Sequence, residues 1–118
     1  MVQIMTPPMP IIVCLCGSSR FYGAFQEHLY LEELKGKIVL TMGFLPHVGP
    51  DEHHGMLGIT EAQKEMLDNL HHRKIDLADE IFVLNVGGYI GHSTAREIEY
   101  ALNQGKTINY LEPQNGVI

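Results

Sequence analysis

Cationic side chains are scarce in this chain. Eight lysines and arginines stand against 14 aspartates and glutamates, a formal net charge of −6, and the pI is near 5.5. This argues against a general nucleic-acid surface, which needs a basic face to neutralise phosphates. A small anionic ligand stays compatible, because a nest of backbone N–H groups holds a phosphate on an acidic protein too. Cysteine is nearly absent, with only Cys14 and Cys16. They alternate along one strand and share a face. That spacing is poorly placed for a disulfide. Two reduced, buried thiols in a cytoplasmic protein are therefore expected. No apolar run reaches membrane-spanning length. The opening MVQIMTPPMPIIVCLC lacks a positively charged start and is interrupted by Pro7, Pro8 and Pro10. Neither a membrane span nor a targeting segment is expected. Internal repeats and low-complexity segments are missing as well.

What is there fits one domain. The 118 residues, 45% hydrophobic and 19% charged, have the composition of an ordinary globular protein and leave no room for a second core. Residues 1–9 read as a loose lead-in to a single domain over 1–118. A core of this size is adequate without being generous, so burial against a second copy is plausible.

Strands alternate with helices along the chain. Ile11 to Cys16 is an apolar run suited to a strand covered on both faces. Tyr22 to Glu33 has helical spacing and Gly36 can end it. Lys37 to Met42 reads as a second strand. Residues 43–58, GFLPHVGPDEHHGMLG, are long for a connection and read as a functional or mobile loop. Thr60 to about Lys74 is the clearest helix, with Thr60-x-x-Gln63 as a capping box and an apolar stripe of Ala62, Met66, Leu67 and Leu70. Glu80 to Asn85, Thr94 to Gln104 and Thr107 to Leu111 read as strand, helix and strand, with Gly105 closing the helix. The alternation implies a parallel sheet with right-handed crossovers and helices on both faces. Ligands of such sheets bind outside the carboxyl ends of the strands, where strand order reverses.

Two loops leave such ends with suitable chemistry. Gly17-Ser18-Ser19-Arg20 lets a backbone approach a ligand closely, and Arg20 offers a planar donor fork. The same residues equally describe a tight strand-to-helix turn with a capping serine. This is neither a P-loop nor a dinucleotide fingerprint. The second loop runs from Asn85 through Gly87, Gly88 and Gly91 to Ser93 and Thr94. Its glycines suggest unusual backbone angles or close ligand contact. Its helix start offers unpaired N–H groups beside two hydroxyls. Glu97 is expected in the first helical turn, where the helix dipole favours the ionised form that a carboxylate nucleophile needs. Thr94-x-x-Glu97 is also a capping box, which leaves a purely structural role open. Asp51-Glu52-His53-His54 and His71-His72 are ligand-type residues. Adjacent histidines on a helix diverge and no H-E-x-x-H spacing occurs. A solvated loop and a helix surface explain them more simply, and no metal or other cofactor is expected. Asp68, Asp76, Asp79 and Glu80 read as a polar face, and spacing alone selects none of them.

The order Cys16-Gly17-Ser18-x-Arg20, Ala78-Asp79-x-Ile81-x-Val83, a glycine-rich loop, and Glu97-Ile98-x-Tyr100-Ala101-x-x-x-Gly105-Lys106 resembles the nucleoside 2-deoxyribosyltransferase superfamily, which includes the 2′-deoxynucleoside 5′-monophosphate N-hydrolases. The likeness covers about residues 11–113. It implies a flavodoxin-like three-layer fold with a mostly parallel sheet of four to five strands. It also implies cleavage of the N-glycosidic bond of a (deoxy)nucleoside or nucleotide. Glu97 matches the nucleophile that forms a glycosyl-enzyme intermediate, as in retaining glycosidases. Gly17 to Arg20 match the loop contacting sugar and base. Gly91, Ser93 and Thr94 match the loop holding the sugar's 5′ end, and Asn85 and Gly87 stand at its entrance. Many members carry an Asp where this chain has Gly91. Many also carry an Asp on the preceding helix, at a place falling near His71, with Asp68 one turn earlier. A histidine could supply the proton there instead. The family often completes its pocket from a neighbouring subunit, so a homodimer or larger assembly is expected. A non-catalytic module that binds a nucleotide or sugar phosphate in the same pocket is the competing expectation.

Overall fold

The computed structural model describes residues 8–44 and 58–114. The 43–58 loop lies outside these apart from its ends, and with it Asp51, Glu52, His53 and His54. Most of the 1–9 lead-in lies outside them too. Four strands, β1 (Ile12–Cys16), β2 (Ile38–Leu40), β3 (Glu80–Val83) and β4 (Thr107–Tyr110), and three helices, α1 (Tyr22–Leu34), α2 (Glu61–Leu77) and α3 (His92–Asn103), alternate along the chain. All neighbouring strands run parallel, in the order β2-β1-β3-β4. That is the flavodoxin-like order, and it reverses between β1 and β3.

The run at β1 is apolar because it is central. Val13, Cys14, Leu15 and Cys16 have no solvent exposure. The period of two divides them between faces. Cys14 and Cys16 join Ile75 of α2, Ala101 of α3, and Ile81 and Val83 in one core. Leu15 joins Phe25 of α1 and Leu84 in the other. Helices thus cover both faces, α1 on one and α2 with α3 on the other.

The local signals act as their chemistry dictates. Thr60 Oγ1 accepts from the Gln63 N–H at 3.1 Å and Gln63 Oε1 accepts from the Thr60 N–H at 2.9 Å, a complete capping box for α2. Gly36 and Gly105 close α1 and α3 with φ of +84° and +73°.

Three expectations change. β2 is shorter than the run 37–42 and ends at Leu40. α3 starts two residues early: Gly91 is its N-cap, and its carbonyl accepts from the Ala95 N–H at 2.9 Å. Thr94 and Glu97 therefore do not form a capping box, and Glu97 lies in the second turn with its side chain turned inward. The stripe of Met66, Leu67 and Leu70 is exposed, while His71 and Ile75 form the buried face of α2.

Candidate functional site

A cavity of about 280 Å³ opens at the carboxyl ends of β1 and β3, at the lower edge of small-ligand sites. Gly17, Ser18 and Ser19 form one wall. Met42 and Gly43 follow from β2. α2 contributes Lys64, Asp68, His71 and Lys74, and the second loop contributes Tyr89, Gly91, Ser93, Thr94 and Glu97.

Backbone packing places each wall. A Cβ on Gly17 would stand 3.2 Å from the Leu84 carbonyl oxygen, so glycine lets this loop lie closely against the residue that follows β3. Ser18 accepts from the Arg20 N–H at 3.3 Å, so the capping role of the first loop and its place on the cavity coexist. At Gly91 a Cβ would meet the Tyr89 hydroxyl at 3.2 Å. The Tyr89 ring is held from outside by the Arg20 guanidinium, 4.3 Å from its centroid, and by the edge of Phe21.

Eight of the sequence-predicted residues meet on this cavity: Gly17, Ser18, Ser19, His71, Gly91, Ser93, Thr94 and Glu97. Arg20, Asn85 and Gly87 are not among its lining. Arg20 is spent on Tyr89. Asn85 is buried and bonded twice to the Glu112 backbone, its Nδ2 donating at 3.0 Å and its Oδ1 accepting at 2.9 Å. Gly87, at φ +65°, donates its N–H to the Glu112 carboxylate at 2.7 Å. Of Asp68, Asp76, Asp79 and Glu80, Asp68 alone lines the cavity, with Oδ2 accepting from Lys64 at 2.9 Å. Asp79 accepts from the Ile12 N–H and Glu80 pairs with Lys37.

The floor is electrostatically unusual. Glu97 is 7% exposed, its Oε1 has no hydrogen-bond partner, and it lies 3.9 Å from His71 Nε2. Burial pushes its carboxyl up to about 7, against the pull of the His71 charge. His71 is no helix-surface residue: it is 5% exposed. Its Nε2 faces Cys14 Sγ at 3.6 Å and Cys16 Sγ at 3.5 Å. Burial works against the imidazolium, but Cys14 and Glu97 more than offset this and raise it. A hydrogen bond from the Cys16 thiol brings Cys14 down to about 5, and His71 adds to this against burial. Cys16 moves the other way, well above the ordinary thiol, through its bond to Cys14 and then through burial. His72, one residue on, points elsewhere and stacks on Tyr100.

Sequence reasoning missed Tyr89, Lys64, Met42 and the meeting of both thiols with His71. The shared face of Cys14 and Cys16 was legible. The helix residue laid across that face was not.

No family model matches this chain, and neither the curated proteins nor the solved structures contain a match. Fold and site together define a flavodoxin-like α/β sandwich with a cavity at its switch point and a buried carboxylate on the cavity floor.

Proposed function

We propose that the cavity takes a nucleoside or nucleoside 5′-monophosphate and that Glu97 cleaves its N-glycosidic bond, by hydrolysis or by transfer to a second base. The observation that carries this reading is the Glu97 carboxylate. It is buried, has one oxygen without a hydrogen-bond partner, and lies on the cavity. The resemblance to the deoxyribosyltransferase superfamily supports the same assignment.

In this reaction one Glu97 oxygen attacks the anomeric carbon as the carbon–nitrogen bond breaks. The bonding electron pair leaves on the base nitrogen, which takes up a proton. Water or a second base then attacks the same carbon, and the carboxylate is released. The charge of His71 favours the ionised carboxylate. His71 was expected to protonate the leaving base, but its Nε2 faces two sulfurs and Glu97. We therefore assign it the positioning of Glu97 and look to Asp68, one turn earlier on the cavity wall, for the proton. Unpaired N–H groups at the start of α3, with Ser93 and Thr94, suit the sugar's 5′ hydroxyl or phosphate. The Tyr89 face and the Gly17–Ser19 backbone suit base and sugar. No cofactor enters the scheme. The reaction belongs in the cytoplasm, where reduced thiols persist. Among the described residues no helix is long and apolar enough to cross a membrane. Exposed Met66, Leu67 and Leu70 beside the cavity suit contact with a second copy, as a homodimer or larger assembly.

The test is incubation with a panel of nucleosides and monophosphates, with and without a second base, followed by chromatography for free or exchanged base. Release that disappears in Glu97→Gln supports the reading, and full activity in that variant removes it. A ligand that raises the melting temperature without turnover favours the non-catalytic binding module instead.

A further inference from the structure

Three ligand atoms converge beneath the cavity from two elements. Cys14 Sγ and Cys16 Sγ lie 3.6 and 3.5 Å from the same atom, His71 Nε2. All three lie within 4.8 Å of one another, and all three residues are buried. A single hydrogen bond at the ring nitrogen does not account for this convergence. A single ring nitrogen serves one partner along its lone pair or its N–H bond. The thiols also touch each other, Cys16 also meets Glu97, and their contacts with the carbonyls of Leu15 and Cys14 are 3.9 Å long.

A tetrahedral ion does account for it. With bonds of ~2.3 Å to sulfur and ~2.0–2.1 Å to nitrogen, tetrahedral geometry separates a sulfur from a nitrogen by about 3.5–3.6 Å. Both observed sulfur–nitrogen distances have this value. A candidate fourth donor lies beside the trio, outside the 4.8 Å group that the other three form: Glu97 Oε1, 3.9 Å from the same Nε2 on a side chain 9% exposed, with no hydrogen-bond partner. The matching oxygen–nitrogen separation is about 3.4 Å, so Glu97 would move inward to complete the shell.

We propose that Cys14, Cys16 and His71, completed by Glu97, form a binding site for one zinc-class divalent ion. Two thiolates, an imidazole and a carboxylate suit zinc, whereas magnesium and calcium favour all-oxygen shells. The period of two sets both sulfurs on one face of β1, and α2 lays the imidazole across them. The site is thus built on the most buried strand of the sheet. It goes beyond the proposed glycosidic chemistry and competes with it, because the ion and the anomeric carbon would claim the same Glu97 oxygen. If that chemistry holds, zinc inhibits it.

The test uses the full chain, stripped with a chelator, and needs no substrate. Zinc is titrated in competition with a chromophoric chelator, and cobalt is added separately to read the thiolate-to-cobalt charge-transfer band. The expected result is one ion per chain and a cobalt band of two-thiolate intensity. The band halves in Cys14→Ser and in Cys16→Ser. Each of these variants and His71→Asn loses more than the ~10–100-fold affinity that an outer-shell change costs. Glu97→Gln weakens zinc while keeping the two-thiolate band. Failure to bind equimolar zinc overturns the site. So does undiminished zinc affinity in the Cys14→Ser/Cys16→Ser double variant, or a wild-type cobalt complex without a thiolate band. The wild-type spectrum decides the matter even where a variant fails to fold. A protein that binds zinc in this way but releases no base keeps the site and discards the glycosidic reading, and the converse result does the reverse.

Discussion

Glu97 is a buried carboxylate with one unpartnered oxygen, so removing its charge should affect stability and activity in opposite directions. Its folded-state carboxyl is raised from 4.5 to about 7, chiefly by burial. A raised acid contributes stability that is complete below its unfolded value and lost as pH climbs through the folded one. In chelator-treated protein, stability should fall between the ordinary 4.5 and about pH 7 by on the order of 3 kcal/mol. Glu97→Gln should flatten that decline and be the more stable protein at pH 8.5, in urea melts at several pH values, while losing any base release. A wild-type profile no steeper than that of the variant counts against a buried, uncompensated carboxylate. Asn85 is the structural counterpart. Its amide joins the end of β3 to the Glu112 backbone. Asn85→Ala strands both backbone groups and should cost about 2 kcal/mol, seen as a lower urea midpoint.

At the scale of elements, ends matter more than interiors. The Thr60–Gln63 box is exposed and local. Thr60→Ala should cost about 1 kcal/mol and fray α2 from its first turn, read by amide exchange. The loop after β1 depends on close approach rather than on capping. In Gly17→Ala the new methyl would stand 3.2 Å from a backbone oxygen that cannot swing aside. We expect a loss of about 1–3 kcal/mol and, because the loop walls the cavity, weaker binding of any ligand there. α3 shows where pattern reading stops. Thr94-x-x-Glu97 has the letters of a capping box, but Gly91 in an extended conformation starts the helix earlier. Glu97 then enters the second turn, where its side chain points at α2 rather than back to the cap.

Across the whole molecule, a charged network ties α1, β2 and β3 together. Glu32, 3% exposed, accepts from Lys35 at 2.7 Å and Lys37 at 3.1 Å, and Lys37 also reaches Glu80 at 2.7 Å. Burial alone would raise the Glu32 carboxyl, but the two lysines outweigh it and hold it low. A depressed acid contributes stability that is present above its unfolded value and lost as pH falls through the folded one. Lys37→Met leaves Glu32 and Glu80 short of a partner. It should cost on the order of 2 kcal/mol at neutral pH and move the onset of acid unfolding to higher pH, measured by circular dichroism. The exposed stripe of Met66, Leu67 and Leu70 belongs to this scale too. Light scattering should give a mass above that of one chain, and Leu70→Lys should reduce it.

The alternation of strand and helix, the two loops at strand ends and the shared face of Cys14 and Cys16 were determined by the sequence alone. Each follows from periods of 2 and 3.6 residues and from the backbone freedom of glycine, which are properties of neighbours in the chain. The order β2-β1-β3-β4 and the burial of His71, one turn from the exposed Leu67 on the same side of α2, were not. Nor were the commitment of Asn85 to Glu112 and the convergence of two thiols, an imidazole and a carboxylate. These depend on how segments distant in the chain pack together, such as Asn85 with Glu112, 27 positions apart, and Cys14 with His71, 57 apart. Local propensity carries no information about such distances; only packing sets them.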